Sequence, residues 1–348
     1  MQKRQRILSL ISCSLILFSL SGCSMSKTQD MLNSGAGNYG NGKSEENYYF
    51  KNSGALLQEL IDKYSGSYYH PTGTSMTDDE HDDAKKAQGS SGTSGDPSDP
   101  GGDPGAPAEI PEVSSMTELM RVFHDAYDRT AESVEFKTVG GFSFNYQTDL
   151  QAIYTALQRE DPIDVSGVAA WSTWNNGSEY YVSVSYAFGV QELKSMKQDT
   201  VNLVADAVQK IGADGLSDYE KVLAVNDYLC DTVYYPPTEP YAPITHTAYG
   251  ALNDGCAVCE GYACAAKLLL NGLGVECDIE VGDCLNGGGH AWNLVKLDGE
   301  WYQLDVTWND GSSARTDYLL VTDDFMKQSR TWDAGNYPVS AKTPYTVN

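Results

Sequence analysis

The chain has 348 residues, with 48 Asp and Glu against 23 Lys and Arg, for a formal net charge of −25. So acidic a surface disfavours nucleic acid, and anionic lipid headgroups, as partners held by charge. The length allows two ordinary domains, or one domain with a long unstructured arm.

Lys3, Arg4 and Arg6 form a basic start, and residues 7–20 an apolar run too short to span a bilayer comfortably. The run ends in Leu20-Ser21-Gly22-Cys23. This resembles the lipobox of bacterial lipoproteins, which implies cleavage of a signal over residues 1–22 and lipidation of Cys23. The expected location is therefore the outer side of the cell membrane, touched only through the lipid. Residues 23–108 show no lasting apolar periodicity beyond Leu56, Leu57, Leu60 and Ile61, and 89–107 is almost wholly Gly, Ser, Pro and Asp. Such a composition cannot bury enough apolar surface to offset the entropy of ordering, so it reads as a disordered N-terminal arm, a flexible tether. The acidic run 78–83, which includes His81, lacks calcium-loop spacing and reads as solvated.

An α+β unit is expected over 109–212. Ser115-x-x-Glu118 is a capping box opening a helix with Met116, Leu119, Met120, Phe123 and Tyr127 on one side. Val134, Phe136 and Thr138 alternate as in a strand. A second helix is predicted from Thr148-x-x-Gln151, with Leu150, Ile153, Tyr154 and Leu157 along it. Strands at 168–174 and 180–188 flank an Asn175-Asn176-Gly177 turn, and a helix over 191–211 closes the unit. His124, on the first helix, has packing or surface as its default role.

Over 213–348 a further capping box, Ser217-x-x-Glu220, opens a helix with Val222, Val225 and Leu229 as its buried stripe. A Pro-rich loop follows, then a turn at Asp254-Gly255 and a helix over 259–270 ended by Asn271-Gly272. A strand is predicted at 275–281. Residues 290–297 and 300–308 are expected to pair as a hairpin around Asp298-Gly299.

Three motifs carry the chemistry: C-A-V-C-E-G-Y at 256–262, G-H-A-W-N at 289–293 and L-D-V-T-W at 304–308. They offer a thiol, an imidazole and a carboxylate, the parts of a nucleophile, a base and an orienting group. An ordinary thiol, with a pKa near ~8.5, is mostly protonated at neutral pH and needs help to ionise. Cys259 at a helix N-terminus would receive some from the unpaired N–H groups there. A two-residue turn at Asp298-Gly299 pairs Leu297 with Glu300 and sets His290 opposite Thr307. Asp305 is then its diagonal neighbour on the same face; a one-residue slip would move Asp305 to the other face. Trp292 shares the face of His290 and is expected to border the cleft, while Gly261 would leave room for a substrate backbone.

Cys13 leaves with the signal and Cys23 takes the lipid, so Cys230, Cys256, Cys259, Cys264, Cys277 and Cys284 remain. Their count permits disulfides without fixing connectivity. Cys256 and Cys259 form a C-x-x-C that could act as a redox pair, or could mask the nucleophile as a disulfide until reduced. No second C-x-x-C follows to complete a zinc site. Cys264, about 140° round a helix from Cys259, points elsewhere and reads as packing.

Residues 218–308 resemble the transglutaminase-like superfamily of papain-type thiol enzymes, as found in bacterial surface and secreted proteins. The matching stretches are S-D-Y-E-K-V-L-A-V-N-D-Y-L, A-Y-G-A-L-N-D-G-C-A-V-C-E-G-Y-A, H-A-W-N-L-V-K-L-D-G-E-W-Y and L-D-V-T-W-N-D. The resemblance implies a helix bearing the cysteine packed on an antiparallel sheet bearing the other two groups, with Cys259 as nucleophile, His290 as base and Asp305 as orienting acid. Asn226 stands where relatives commonly have histidine, and Cys256 where they usually lack cysteine. The implied reaction is acyl transfer at an amide of a peptide or protein substrate. Water as acceptor makes a cysteine peptidase or amidase, an amine a cross-linking transglutaminase, and lost turnover a surface binding module. No cofactor and no metal are expected.

Overall fold

A computed structural model of the chain describes residues 109–238 and 241–347 and the backbone of residues 16–17. Cys23, the tether and nearly all of the expected signal lie outside the described residues. The fold is mixed α+β, built on two sheets and two main cores.

The first sheet has the order β1-β4-β5-β3-β2, with β1 Ile16–Leu17, β2 Glu112–Val113, β3 Ser133–Thr138, β4 Val168–Asn176 and β5 Glu179–Tyr186. Only the β2–β3 pair is parallel. Helix α1, Met116–Asp128, starts where expected, with Ser115 accepting from the Glu118 amide. Helix α2, Tyr146–Glu160, starts before the predicted Thr148 because Asn145 caps it by accepting from the Gln147 amide. Phe123, Phe136, Leu150, Ile153, Trp171 and Val182 fill the core between them.

Helix α3, Val190–Ile211, belongs to both halves, since Val201, Val204 and Ala207 pack into the second core. There they meet α4, Asp218–Thr232, and the apolar α5, Cys259–Gly272. The second sheet has the order β8-β7-β6-β9, all antiparallel: β6 Cys277–Cys284, β7 Gly289–Leu297, β8 Glu300–Leu304 and β9 Arg330–Thr331. The α5 helix lies on this sheet. Asn293 on β7 fixes the contact by donating to the Ala263 carbonyl of α5 (3.0 Å) and to the Asp278 carbonyl of β6 (3.2 Å).

The hairpin turns as its sequence predicts, with Leu297 opposite Glu300 and positive φ at Asp298 (52°) and Gly299 (85°). Its second arm is shorter than predicted. It ends at Leu304, and Asp305 becomes the N-cap of a short helix α6, Val306–Asp310, accepting from the Trp308 amide at 3.0 Å. Asn226, fully buried on α4, accepts from Asn309 Nδ2 (2.7 Å) and donates to the Arg315 carbonyl (2.9 Å). It thereby ties α6 to α4. A last short helix, α7, spans Asp323–Met326.

Candidate active site

Cys259 is the first residue of α5, and the residue before it, Val258, offers no side-chain cap. The first amides of the helix thus surround the sulfur with unpaired donors and the positive end of the helix dipole. Gly261 holds this turn against the protein itself. A Cβ there would meet the Thr245 carbonyl oxygen at 2.5 Å and the Thr247 oxygen at 3.0 Å. The room expected for a substrate backbone is taken by the turn Pro243–His246 and the residue after it.

The structure brings the three predicted side chains together. His290 Nε2 donates to Asp305 Oδ2 at 2.7 Å, and the Cys259 thiol lies close enough to the His290 ring to interact with it. With Nε2 engaged by the carboxylate, Nδ1 is the nitrogen that remains for the sulfur. Asp305 arrives as a helix cap and not as the ladder neighbour that the hairpin register suggested. Burial works against a charged His290, but the Asp305 charge and hydrogen bond, together with Cys259, outweigh it and push its pKa up to about 10. Burial likewise opposes ionisation of Asp305, yet His290 and Arg330 hold its carboxyl below the usual carboxylate range.

Arg330 is the residue that the sequence did not announce. It sits on β9, wholly buried, and its Nη1 donates to Asp305 Oδ2 at 2.5 Å. Its guanidinium lies 4.0 Å from the centre of the Trp308 ring and 5.0 Å from that of Trp292. Gly282 permits this approach, since a Cβ there would meet the Thr331 carbonyl oxygen of β9 at 2.3 Å. Trp292 does not border a cleft. It is 1% exposed, stacks 5.7 Å from His290 and donates Nε1–H to Gln303 at 2.6 Å. Half-buried Trp308, its ring 5.6 Å from that of His290, is the more exposed of the two tryptophans.

A second His–carboxylate pair flanks the same helix start. His246 Nδ1 lies 3.0 Å from Oε2 of Glu260, the residue after Cys259. Glu260 Oε1 accepts from Gln158 Nε2 (2.6 Å) and the Tyr154 hydroxyl (3.1 Å), both on α2. Arg159, next on α2, binds both oxygens of Asp278 on β6 (2.6–3.2 Å). The N-terminal unit therefore grips the cysteine helix beside Cys259.

All six cysteines among the described residues are free thiols. Cys256 lies close enough to the Tyr234 hydroxyl to push its pKa up. Cys264 is buried, as expected, and burial pushes its thiol well up. Half-buried Cys284, also pushed up by burial, lies close enough to His290, Arg330, Asp305 and Cys259 to feel their charge. Among the described residues, no group of three His, Cys, Asp or Glu side chains is placed to hold a metal ion. His124 pairs with Asp164, its Nε2 3.5 Å from the carboxylate, away from the site.

A thiol heading a helix, laid on an antiparallel sheet with a histidine against it, defines the papain-like class of thiol-enzyme folds. The family model of the Transglutaminase-like superfamily matches residues 205–306, the segment that carries Cys259, His290 and Asp305. The mouse (Mus musculus) protein Kyphoscoliosis peptidase is 28% identical over 131 residues, which are 34% of this chain and 19% of that protein. The chain thus spans about a fifth of that relative. Two solved structures are similar over part of their length. One, described as a TGase, is 17% identical with a TM-score of 0.29, covering 51% of each chain. The other, from Cytophaga hutchinsonii and provisionally assigned as a cysteine protease, is 14% identical with a TM-score of 0.25, covering 39% of this chain and 60% of that one. Scores so low add nothing to the family match.

Proposed function

We propose that this chain is a surface-anchored thiol enzyme that hydrolyses amide bonds in peptide or cell-wall-associated protein, using Cys259, His290 and Asp305. The observation that carries the reading is His290 held at 2.7 Å by the Asp305 carboxylate while interacting with the Cys259 thiol at the head of α5. The Cys259 sulfur attacks the carbonyl carbon with its proton held on His290 Nδ1. Backbone N–H groups at the start of α5 meet the oxyanion. His290 then returns the proton to the departing amine, leaving a thioester. Water, giving a proton to His290, releases the acid and restores the thiol. The raised pKa of His290 favours this course, because the ring can hold a proton until the leaving amine takes it. Water as acceptor agrees with the mouse relative's name as a peptidase. Cys23 supplies the lipid anchor, and the acidic tether holds the enzyme off the membrane.

The test is to incubate reduced protein with a peptide mixture and a labelled primary amine, then read products by mass spectrometry. Cleaved peptides that vanish with Cys259→Ala and His290→Ala are expected. Amine incorporation without cleavage would make the chain a cross-linking enzyme. No product of either kind, with peptides retained, would make it a binding module and overturn the proposal.

A further inference from the structure

We propose that Arg330 is a positioning residue of the active site, a fourth member of the Cys259–His290–Asp305 line that shares the carboxylate with His290 and so sets how tightly His290 holds its proton. This rests on the reading of those three residues given above. Arg330 lies 24 residues past the end of the family match at 306, so it is argued from this chain's own geometry.

Asp305 is wholly buried, and its hydrogen-bonding capacity is divided. Oδ1 accepts from the Trp308 amide, while Oδ2 accepts from both His290 Nε2 and Arg330 Nη1. A buried carboxylate with a single cationic partner would depend on His290 staying protonated, because neutral imidazole would leave it uncompensated. Yet the reaction needs His290 to give its proton to the leaving amine and later to take one from water. Arg330 keeps Asp305 compensated in both states. It also draws off part of the carboxylate's pull and repels the imidazolium, which eases release of the proton.

The surroundings leave Arg330 little else to do. Its guanidinium is closed in by Trp308, Trp292 and, at 5.5 Å, Tyr318. Its Nη2 is buried with no hydrogen-bond partner, so the full cost of burying the cation is set against Asp305 and the aromatic faces. The titratable groups facing His290 are Asp305, with Arg330 behind it, Cys259 from α5 and Cys284 from β6. Those facing Arg330 are Asp305, Cys284 and Tyr318. Neither thiol nor the phenol has the fixed positive charge that Arg330 supplies.

The experiment is a pH titration of the His290 ring by nitrogen-15 NMR in full-length, reduced protein, assigned with His290→Gln. It is repeated in Arg330→Met and Arg330→Lys, with melting temperatures recorded alongside. In the parent protein the ring should stay doubly protonated up to about 10. Arg330→Met should raise that midpoint by roughly one unit, the effect of a nearby charge. Arg330→Lys, which keeps the charge, should stay near the parent value even where it melts lower. A parent ring titrating near ~6.5 would overturn the reading of the triad and this inference with it. A parent midpoint near 10 that Arg330→Met leaves in place, whatever its melting temperature, would overturn this inference alone and make Arg330 a packing residue. Should Arg330→Met not fold, Arg330→Lys decides, a midpoint moved up by a unit despite the retained charge counting against the proposal.

Discussion

The molecule holds two histidine–carboxylate pairs at one helix start, and their differences show why the catalytic proposal falls on one of them. His246 and Glu260 are linked at 3.0 Å, with side chains 22% and 26% exposed; His290 and Asp305 are linked at 2.7 Å, with 6% and 0%. Distance alone hardly separates them. Burial and third partners do. Glu260 has its other oxygen filled by Gln158 and Tyr154, so its hydrogen bonds run back into the N-terminal unit and brace the helix. Asp305 turns its charge inward to His290 and Arg330, and His290 reaches Cys259. The first pair braces the thiol's helix; the second acts on the thiol.

The comparison breaks most sharply at Asp305. Asp305→Ala strands Arg330 and should cost about 3–5 kcal/mol of stability, as removing one partner of a buried ion pair does. Asp305→Asn should spare more of the fold and still lower turnover by ~10³–10⁴-fold, the usual penalty for a misdirected imidazole. Urea melts and peptide-cleavage rates measure the two effects separately.

The pH dependence comes next. The folded-state pKa of His290 lies above its ordinary ~6.5, at about 10. Its stabilising contribution is therefore complete below ~6.5 and lost as pH rises to about 10. Asp305 has the opposite sense: its pKa is lowered, so its contribution is present above ~3.9 and lost as pH falls through its folded value. Melting temperature should drop between pH 6.5 and 10, and His290→Gln should flatten that drop.

Smaller effects belong to the bracing pair. Glu260→Gln should cost about 1.5–3 kcal/mol, the range for hydrogen bonds to a charged group, with turnover falling only severalfold. Tyr154→Phe removes one donor of the three and should cost about 0.5–1.5 kcal/mol. A loss of turnover in Glu260→Gln equal to that in Asp305→Asn would erase the distinction between the pairs.

The parts of the site that were legible in the sequence are local ones. Asp298-Gly299 demands a tight turn with both residues at positive φ, and that turn sets the register of β7 against β8. Cys259 could be placed because apolar helical composition begins there and Asp254-Gly255 precedes it. Asp305 was expected beside His290, where it lies, for a partly wrong reason. Val306, Thr307 and Trp308 favour a strand, and only the buried clasp of Asn309 on Asn226 shows that the chain turns into a helix instead. Arg330 was illegible, since its strand is two residues long and its partner lies 25 residues away. For the same reason Trp292 was set at a cleft edge: the stretch carrying Tyr318, Val321, Met326 and Trp332, which buries it, has no pattern that assigns it there. The link from α2 to Glu260 spans more than 100 residues and leaves no periodic trace.

The central claim, that Cys259, His290 and Asp305 act as one unit, is tested most directly by the rate at which iodoacetamide alkylates Cys259 in reduced protein at pH 7, read by peptide mass spectrometry. Rapid alkylation is predicted for the parent, with a large fall in His290→Ala and a smaller one in Asp305→Asn. A Cys259 rate left unchanged by both substitutions would contradict it.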